Sequence, residues 1–280
     1  MHSNLTAVRY IGPGGTTRLG ALAGEVVRDA GPAPAEGFIP SPEGWALIEA
    51  AAGDEHALSD VELLHPVQAG KILAIAVNYR AHAEESELDV PAVPVMFAKF
   101  PSSLIGSGAT IVVPREETRP DFEGEVAIVI GRRTYRADEA SALEAVGGIS
   151  ALNDVSGRRA QLETPLRQFT LGKSFDTFTP MGPAIAHPAG LDIGNLALET
   201  TVSGELMQQA NTRDLIHSIA SLIVYLSAGT TLEPGDVIAT GTPSGVGDSR
   251  TPPRYLREGD LVEVTVEGVG TLRNPVALER

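Results

Sequence analysis

Residues 121–125 read DFEGE, and residues 126–130, which follow at once, read VAIVI. Because alternate residues of a β-strand lie on one face, the pattern predicts that Asp121, Glu123 and Glu125 share one side of a sheet. Neighbouring Cα atoms on that side are roughly 6.5–7 Å apart, a spacing at which carboxylates repel one another and are costly to bury. A hard divalent cation relieves both costs by taking carboxylate oxygens as ligands. The stretch therefore indicates a metal site and, with it, an enzyme.

A second interpretation of the same residues is a solvent-facing edge strand that carries ordinary surface acids. The apolar run at 126–130 favours an interior position, and so favours the metal site. Two glutamates from one strand do not fill the coordination sphere of such a cation, so another segment must supply an oxygen. Asp154, in a polar turn just after a short apolar stretch, is the best candidate. Oxygen-only ligands select Mg²⁺, Mn²⁺ or Ca²⁺ over zinc.

The overall composition limits the classes of function. The 280 residues carry 36 Asp or Glu and 21 Lys or Arg, a formal net charge of −15. This charge argues against binding to nucleic acid or to an anionic membrane surface. A small anionic substrate is still compatible, because a bound cation reverses the field locally. The chain has no cysteine, which excludes disulfides, thiolate zinc sites and cysteine nucleophiles.

The beginning of the chain predicts no targeting segment. Residues 1–6 (MHSNLT) contain neither a basic nor an apolar signal region. No stretch reaches the ~18 apolar residues that a membrane span needs. A cytoplasmic protein without membrane contact is therefore expected.

The order of the segments predicts a β-rich α+β protein with a mixed sheet. Thirty glycines and 20 prolines indicate many turns, and short apolar runs such as residues 71–77 are typical of strands. One longer helix is expected at residues 213–228, where apolar residues recur at helical spacing, with His217 off that stripe and at the surface. A boundary near residue 66 divides a small N-terminal accessory domain, 1–66, from a larger domain, 67–280.

Residues 78–85 (NYRAHAEE) follow a predicted buried strand and contain a His–Glu pair. His82 and Glu85 are three residues apart, so they are neighbours on one face if the segment forms a helical turn. A carboxylate beside an imidazole fixes its tautomer and raises its basicity, as a general base requires. An exposed ion pair on a helix has the same spacing, and the pattern alone does not distinguish the two.

Two further segments can bind anions. Residues 171–178 (LGKSFDTF) hold one lysine, Lys173, which can bind a substrate carboxylate or enolate, or can form a salt bridge with a nearby acid. Residues 240–247 (TGTPSGVG) combine glycines and hydroxyls, which bring backbone N–H groups close to an anion. They lack the GK[ST] ending of a phosphate-binding P-loop, so a nucleotide is not indicated.

Taken in order, these segments resemble the fumarylacetoacetate hydrolase family. The matching residues are 78–85, 121–125, 153–156 with Arg158 and Gln161, 172–178, 234–243 with 245–247, and the ending at 270–274. The resemblance covers about residues 66–275, and the five ordered motifs that precede this ending are together far more specific than any one of them. It implies the mixed β-roll fold of these enzymes for the catalytic domain, 67–280, a small N-terminal β domain, and assembly as a homodimer.

The resemblance also implies a role for individual residues. The positions that match ligands of Mg²⁺ or Mn²⁺, with Ca²⁺ able to bind in vitro, are Glu123, Glu125 and Asp154. The positions that match catalytic residues are His82, Glu85 and Lys173. The positions that match substrate-binding residues are Arg158, Gln161 and Thr242.

These roles describe a hydrolase that cleaves a carbon–carbon bond in a 2,4-dioxo acid of the acylpyruvate or fumarylpyruvate type, as in the catabolism of aromatic compounds. His82, oriented by Glu85, would activate water from a segment that orders as a lid, while Lys173 and the cation would stabilise the enolate. The alternatives on the same fold are a decarboxylase or tautomerase of oxaloacetate, an isomerase of 2-hydroxy-dienedioates and a sugar-acid dehydratase. An acidic binding protein with a structural Ca²⁺ site is an alternative without catalysis.

Two charged residues have no assigned role. Arg159 departs from the family pattern, which has an acidic residue at that position, and would favour a dicarboxylate substrate if it faced the pocket. Asp121 varies in the family and is not assigned as a ligand.

Overall fold

The computed structural model describes residues 5–280. Two predictions include residues 1–4, the absence of a targeting segment and the accessory domain at 1–66, and those parts of them lie outside the described residues. Within residues 5–280 the chain forms nineteen strands. These are β1 (Thr6–Ile11), β2 (Thr17–Ala23), β3 (Val26–Pro32), β4 (Glu55–Ala57), β5 (Glu62–Leu64), β6 (Ile72–Ala76), β7 (Val95–Lys99), β8 (Leu104–Ile105), β9 (Ile111–Val113), β10 (Pro120–Asp121), β11 (Gly124–Ile130), β12 (Val146–Asn153), β13 (Ser156–Gly157), β14 (Thr179–Ala186), β15 (Ala197–Val202), β16 (Glu205–Asn211), β17 (Val237–Ala239), β18 (Leu261–Val266) and β19 (Gly270–Leu278).

The helices are short. They are α1 (Pro42–Glu49), α2 (Arg80–Glu85), α3 (Glu139–Ala142), α4 (Arg158–Leu162), α5 (Phe169–Gly172) and α6 (Ile219–Ser227), with 3₁₀ turns at Leu58–Asp60, Pro101–Ser103, Leu143–Ala145 and Thr212–Asp214. Over residues 5–280, no helix has the length and apolar character that crossing a bilayer requires. The predicted β-rich architecture with few helices is confirmed.

Two mixed sheets form the framework. The larger one has twelve strands, in the order β4-β3-β2-β1-β14-β12-β11-β17-β6-β7, with β5 paired to β1 and β8 paired to β14. The second sheet has the order β16-β15-β18-β19-β9, and β10 pairs with β13 separately. Most pairings are antiparallel, but β17 runs parallel to β6, β14 to β8 and β19 to β9.

Strand β11 lies at the centre of the larger sheet, and all of its residues are buried. Val126, Ile128 and Ile130 face a core shared with α6 and with the second sheet. Ala127 and Val129 face the opposite core, which is shared with the N-terminal segment. Each fully buried isoleucine of this kind contributes about 1.5–3 kcal/mol. The VAIVI run is therefore the interior strand that its composition predicts.

The topology brings the predicted functional segments to one end of this sheet. Gly124, where β11 begins, pairs with Asn153, where β12 ends, so Glu123, Glu125 and Asp154 meet there. Strand β17 is antiparallel to β11 and parallel to β6, so both β17 and β6 end beside the start of β11. The glycine-rich segment 240–247 and helix α2 follow those two strands and reach the same end.

The N-terminal segment extends the larger sheet. Strand β1 pairs with β14, so β1–β5 share a sheet with the strands of residues 67–280. Phe38, Trp45 and Ile48 pack in a core common to both parts of the chain. The Trp45 indole also donates a hydrogen bond to the Gly147 carbonyl, at 2.8 Å. The division at residue 66 stays a prediction.

The predicted single strand through Asp121, Glu123 and Glu125 is wrong. The chain leaves strand geometry at Phe122 and Glu123, because the Glu123 N–H donates to the Asn153 side chain, at 3.0 Å, instead of to a neighbouring strand. Asp121 pairs with Ser156 in the separate β10–β13 ladder. The three carboxylates therefore do not lie on one strand face.

The helix predicted at 213–228 begins later than expected. The N–H groups of Ile216 and His217 donate to the backbone and side-chain oxygens of Asn78, each at 2.8 Å, so they are not available to a helix. Helix α6 starts at Ile219, with the Ser218 hydroxyl as its N-cap. His217 is half-buried, with its Nε2 3.1 Å from the Pro91 carbonyl, so it is only partly at the surface.

The close packing of Gly124 generates a stability prediction. A Cβ added there would lie 1.9 Å from the buried Thr200 Oγ1. We expect Gly124→Ala to lower the free energy of unfolding by about 1–3 kcal/mol, as overpacking of a core does. Urea denaturation measures this change.

The control is Gly229→Ala, because a Cβ at that position meets no atom within 4 Å. Thr200→Ala should recover part of the loss in the double variant, since it removes the clashing hydroxyl. Equal stability of Gly124→Ala and the native protein would contradict this account of the packing.

Candidate metal centre and active site

The three carboxylates predicted as metal ligands lie together. Oxygens of Glu123, Glu125 and Asp154 are all within 4.8 Å of one another, and all three residues are buried. Backbone hydrogen bonding fixes this arrangement, because the Asp154 N–H donates to the Glu123 carbonyl at 2.8 Å. The donor set, three carboxylates with no nitrogen or sulfur, fits a hard divalent cation.

The electrostatic surroundings of the two glutamates differ. Burial raises the pKa of Glu125, and the charges of Asp154 and Glu123 raise it further. Burial also acts to raise the pKa of Glu123, but Lys173 and Arg158 outweigh it and lower that pKa to about 2. Glu125 makes no ion pair with any described residue, so it is the carboxylate that most needs a cation.

A glycine backbone supports Glu125. The Gly241 N–H donates to its Oε2 at 2.8 Å. Gly241 has φ +101°, a left-handed conformation that favours glycine, and a Cβ there would lie 2.7 Å from Asn78 Cβ. The glycine-rich segment singled out in the sequence therefore presents its N–H to a protein carboxylate.

Lys173 lies against the same cluster. Its Nζ donates to Glu123 Oε2 and Asp154 Oδ2, both at 2.7 Å, and to the Ser156 hydroxyl at 2.8 Å. Burial acts to lower the pKa of Lys173, but the Asp154 and Glu123 carboxylates raise it above its usual value, so the ammonium stays charged. The salt bridge considered from the sequence is thus present, and the same ammonium also lines the pocket described below.

Arg158 and Asp121 form a buried pair beside the cluster. The Asp121 carboxylate accepts hydrogen bonds from Arg158 Nε at 2.9 Å and from Gly247 N–H at 2.7 Å. Arg158 Nη2 lies 2.7 Å from both Asp121 Oδ2 and Glu123 Oε1. Asp121 therefore orients Arg158 and the glycine-rich segment, and it is not part of the carboxylate cluster.

Lys99 is a site residue that the sequence reasoning missed. Its fully buried Nζ donates to Asp154 Oδ1 at 2.5 Å, to the Phe178 carbonyl at 3.1 Å and to the Lys173 carbonyl. The one available signal was the alternation in β7, which puts Lys99 on the same buried face as Phe97. Lys99 thus holds one oxygen of Asp154 while Lys173 contacts the other.

The His–Glu pair forms as its spacing predicts. His82 Nδ1 lies 2.9 Å from Glu85 Oε1 on helix α2. The Glu85 carboxylate also accepts the Gly245 N–H, at 2.8 Å for Oε2. Both side chains line the pocket and are mostly shielded from water, with exposed fractions of 12% and 22%, so the pair differs from an ordinary surface ion pair.

A cavity of about 610 Å³ joins these groups. The predicted site residues that line it are His82, Glu85, Glu123, Arg158, Gln161, Lys173 and Thr242. Glu125 and Asp154 lie buried beside them. Gln161 accepts a hydrogen bond from Arg158 at 3.1 Å, and the Thr242 hydroxyl donates to the Gly124 carbonyl at 3.0 Å.

Arg159 does not line this cavity. Its guanidinium lies 3.5 Å from Glu163 and donates to the Glu116 carbonyl at 2.7 Å, at the exposed surface. Arg159 is expected to favour a dicarboxylate substrate only if it faces the pocket, and it does not face it.

Comparison with known proteins agrees with this geometry. Residues 71–277 match the family model described as fumarylacetoacetate (FAA) hydrolase C-terminal. The chain belongs to the fumarylacetoacetate hydrolase family. Oxaloacetate tautomerase YisK of Bacillus subtilis is 43% identical over 227 residues, which are 79% of this chain and 75% of that protein.

Solved structures of the fumarylacetoacetate hydrolase family share the fold over nearly the whole chain. A 5-carboxymethyl-2-hydroxymuconate delta-isomerase from Mycobacterium smegmatis superposes with a TM-score of 0.81 at 36% identity, covering 98% of this chain and 99% of that one. A fumarylacetoacetate hydrolase from Exiguobacterium antarcticum gives a TM-score of 0.82 at 33% identity, covering 98% and 100%. The chain is thus a member of an enzyme family whose named members include tautomerases, isomerases and hydrolases.

The carboxylate cluster generates a metal-binding prediction. We expect Glu125→Gln to weaken Mg²⁺ binding by roughly 100-fold, since changes around a ligand already cost 10–100-fold. In the native protein, Mg²⁺ affinity should fall as the pH is lowered, because protons compete for the ligands. The raised pKa of Glu125 makes this fall begin above the ordinary glutamate value of 4.5. Isothermal titration calorimetry over a pH series measures both effects.

The control is Glu163→Gln, an exposed carboxylate outside the cavity, which should bind Mg²⁺ like the native protein. Native-like affinity in Glu125→Gln would exclude Glu125 as a ligand.

Proposed function

We propose that this protein is a metal-dependent tautomerase or isomerase of 2-oxo acids, with oxaloacetate as the first substrate to test. The observation that carries the proposal is the presence of the His82–Glu85 pair and the carboxylate cluster at one cavity. The similarity to an oxaloacetate tautomerase and to a hydroxymuconate isomerase supports the same reaction type.

Glu123, Glu125 and Asp154 would hold Mg²⁺ or Mn²⁺, with Ca²⁺ as a substitute in vitro. When bound, such a cation supplies Lewis-acid polarisation of a 2-oxo group, which makes the adjacent C–H bond more acidic. The site would take a small anionic oxo acid.

His82 would carry the proton. With its Nδ1 hydrogen-bonded to Glu85, the imidazole presents Nε2 as a base. In this scheme Nε2 takes a proton from C3 of the oxo acid, and the imidazolium returns it to the 2-oxo oxygen, which converts the keto form to the enol. The proton count is balanced, and the reverse reaction uses the same two steps.

The neighbouring cationic residues would favour the negative charge that develops on oxygen. Lys173 and Arg158 line the cavity and are charged. Such preorganised charges act on developing charge in a site from which water is largely excluded. Gln161 and Thr242 offer polar groups that can orient the oxygens of the acid.

Carbon–carbon bond hydrolysis, the reaction first expected from the sequence, is the second candidate. The similarity to a fumarylacetoacetate hydrolase favours it. Tautomerisation or isomerisation is preferred because the names of an oxaloacetate tautomerase and a hydroxymuconate isomerase similar to this chain describe reactions of that type. A place in the catabolism of aromatic compounds, a homodimer, cytoplasmic location and the absence of nucleic acid and membrane partners remain proposals.

His82 gives the test of the mechanism. His82→Ala should lower the rate of oxaloacetate tautomerisation by about 10²–10⁴-fold, since a positioned acid–base group contributes that much. Glu85→Gln should lower it less, because the imidazole remains. Deuterium exchange at C3, followed by NMR with saturating Mg²⁺, measures the rate for each variant.

The control is His56→Ala, in β4 and outside the cavity, which should keep native activity. Full activity of His82→Ala would exclude this base. Release of pyruvate from acetylpyruvate faster than exchange of oxaloacetate would favour the hydrolase instead.

A further inference from the structure

One basic residue at the cavity has no role in the proposed reaction. Four basic residues line the cavity: His82, Arg158, Arg167 and Lys173. His82 contacts Glu85, Arg158 contacts Asp121 and Glu123, and Lys173 contacts Glu123 and Asp154. Among residues 5–280, Arg167 makes no ion pair and no side-chain hydrogen bond, so its positive charge is available to a ligand.

The backbone of Arg167 has an unusual conformation. Arg167 lies at the exposed surface, in the connection between α4 and α5, and is the residue of that connection that lines the cavity. Its φ of +47° is in the left-handed region, which residues with a Cβ rarely adopt. The Arg167 N–H donates to the Thr164 carbonyl at 3.0 Å and so closes a tight turn. Such strained positions are concentrated at ligand-binding sites.

We propose that Arg167 binds the distal carboxylate of the substrate and so makes this site selective for dicarboxylic 2-oxo acids. The inference rests on the proposed function. In that arrangement the carboxylate and 2-oxo group of the substrate lie toward the Glu123–Glu125–Asp154 cluster, and a second carboxylate extends toward the rim. A planar guanidinium matches a carboxylate with two parallel hydrogen bonds.

Two acidic residues also line the cavity. They are Glu87 and Asp89, on the segment after α2, and neither makes an ion pair among the described residues. Their charges disfavour a second substrate carboxylate, so a cation on the same lining, such as Arg167, favours binding of a dicarboxylate. Arg159, the arginine suspected from the sequence, does not supply such a cation because its guanidinium faces Glu163 outside the cavity.

The experiment compares two substrates that differ only at the distal group. Oxaloacetate and 2-oxobutyrate share the 2-oxo acid and the C3 hydrogens, but 2-oxobutyrate has a methyl group in place of the distal carboxylate. In Arg167→Gln we expect kcat/KM for C3 deuterium exchange of oxaloacetate to fall by about 10–100-fold, mainly through KM, as loss of a charged hydrogen bond does. Exchange of 2-oxobutyrate should change less than about twofold.

The matched control is Arg159→Gln, an exposed arginine nearby, which should leave both substrates unaffected. An equal loss with both substrates would assign Arg167 to closure of the cavity, for example by pairing with Glu87 or Asp89, and would overturn the proposal. No change with oxaloacetate would also overturn it.

A binding measurement distinguishes failure of this inference from failure of the proposed function. If the native protein exchanges neither substrate, the proposed function fails, while calorimetric binding of oxaloacetate and 2-oxobutyrate in Mg²⁺ still tests Arg167. A preference for oxaloacetate that Arg167→Gln removes would support the inference. A preference that survives the substitution, or no binding of either acid, would overturn it.

Discussion

The structure depends on a balance among charges buried in a small volume. Four carboxylates and three cationic side chains, all nearly inaccessible to water, form one connected cluster at one end of the larger sheet: Asp121, Glu123, Glu125 and Asp154 with Lys99, Arg158 and Lys173. Removing one partner of a buried pair leaves an uncompensated charge and typically costs 3–5 kcal/mol. The excess of negative charge falls on Glu125, which lacks a cationic contact. The excess of buried negative charge at Glu125 thus determines where a divalent cation would bind.

The same charges join segments that the hydrogen-bonded sheet does not join. Lys99 ends β7, Lys173 follows α5, and both ammonium groups contact Asp154 after β12. Arg158, at the start of α4, connects Asp121 with Glu123. Because α4 and α5 are each no longer than five residues, helical hydrogen bonds alone do not make them stable, and these contacts anchor them. The buried charges therefore position α4 and α5, whose residues line part of the cavity.

Much of the site could be predicted from local sequence because its residues occur in short motifs. The apolar run at 126–130 identified the central strand, and the spacing of His82 and Glu85 predicted their contact. The alternation argument failed at Asp121 because the Asn153 side chain, distant in sequence, takes the Glu123 N–H. Lys99 could not be recognised, since its partners lie 55 to 79 residues away and a buried lysine resembles a surface one in a single sequence. Long-range polar contacts, not strand or helix propensities, account for both failures.

The Glu85 carboxylate serves two segments at once, since it touches the imidazole of His82 and the amide of Gly245. Helix α2 follows β6, and the glycine-rich segment follows β17, so a single side chain spans the mouth between two neighbouring strands. Because His82 and Glu85 lie on the same helix, a movement that parts α2 from Gly245 would carry the base and its orienting carboxylate away together. Opening of the cavity there would therefore displace an intact His82–Glu85 pair, so that the base is present with its orienting partner or absent with it.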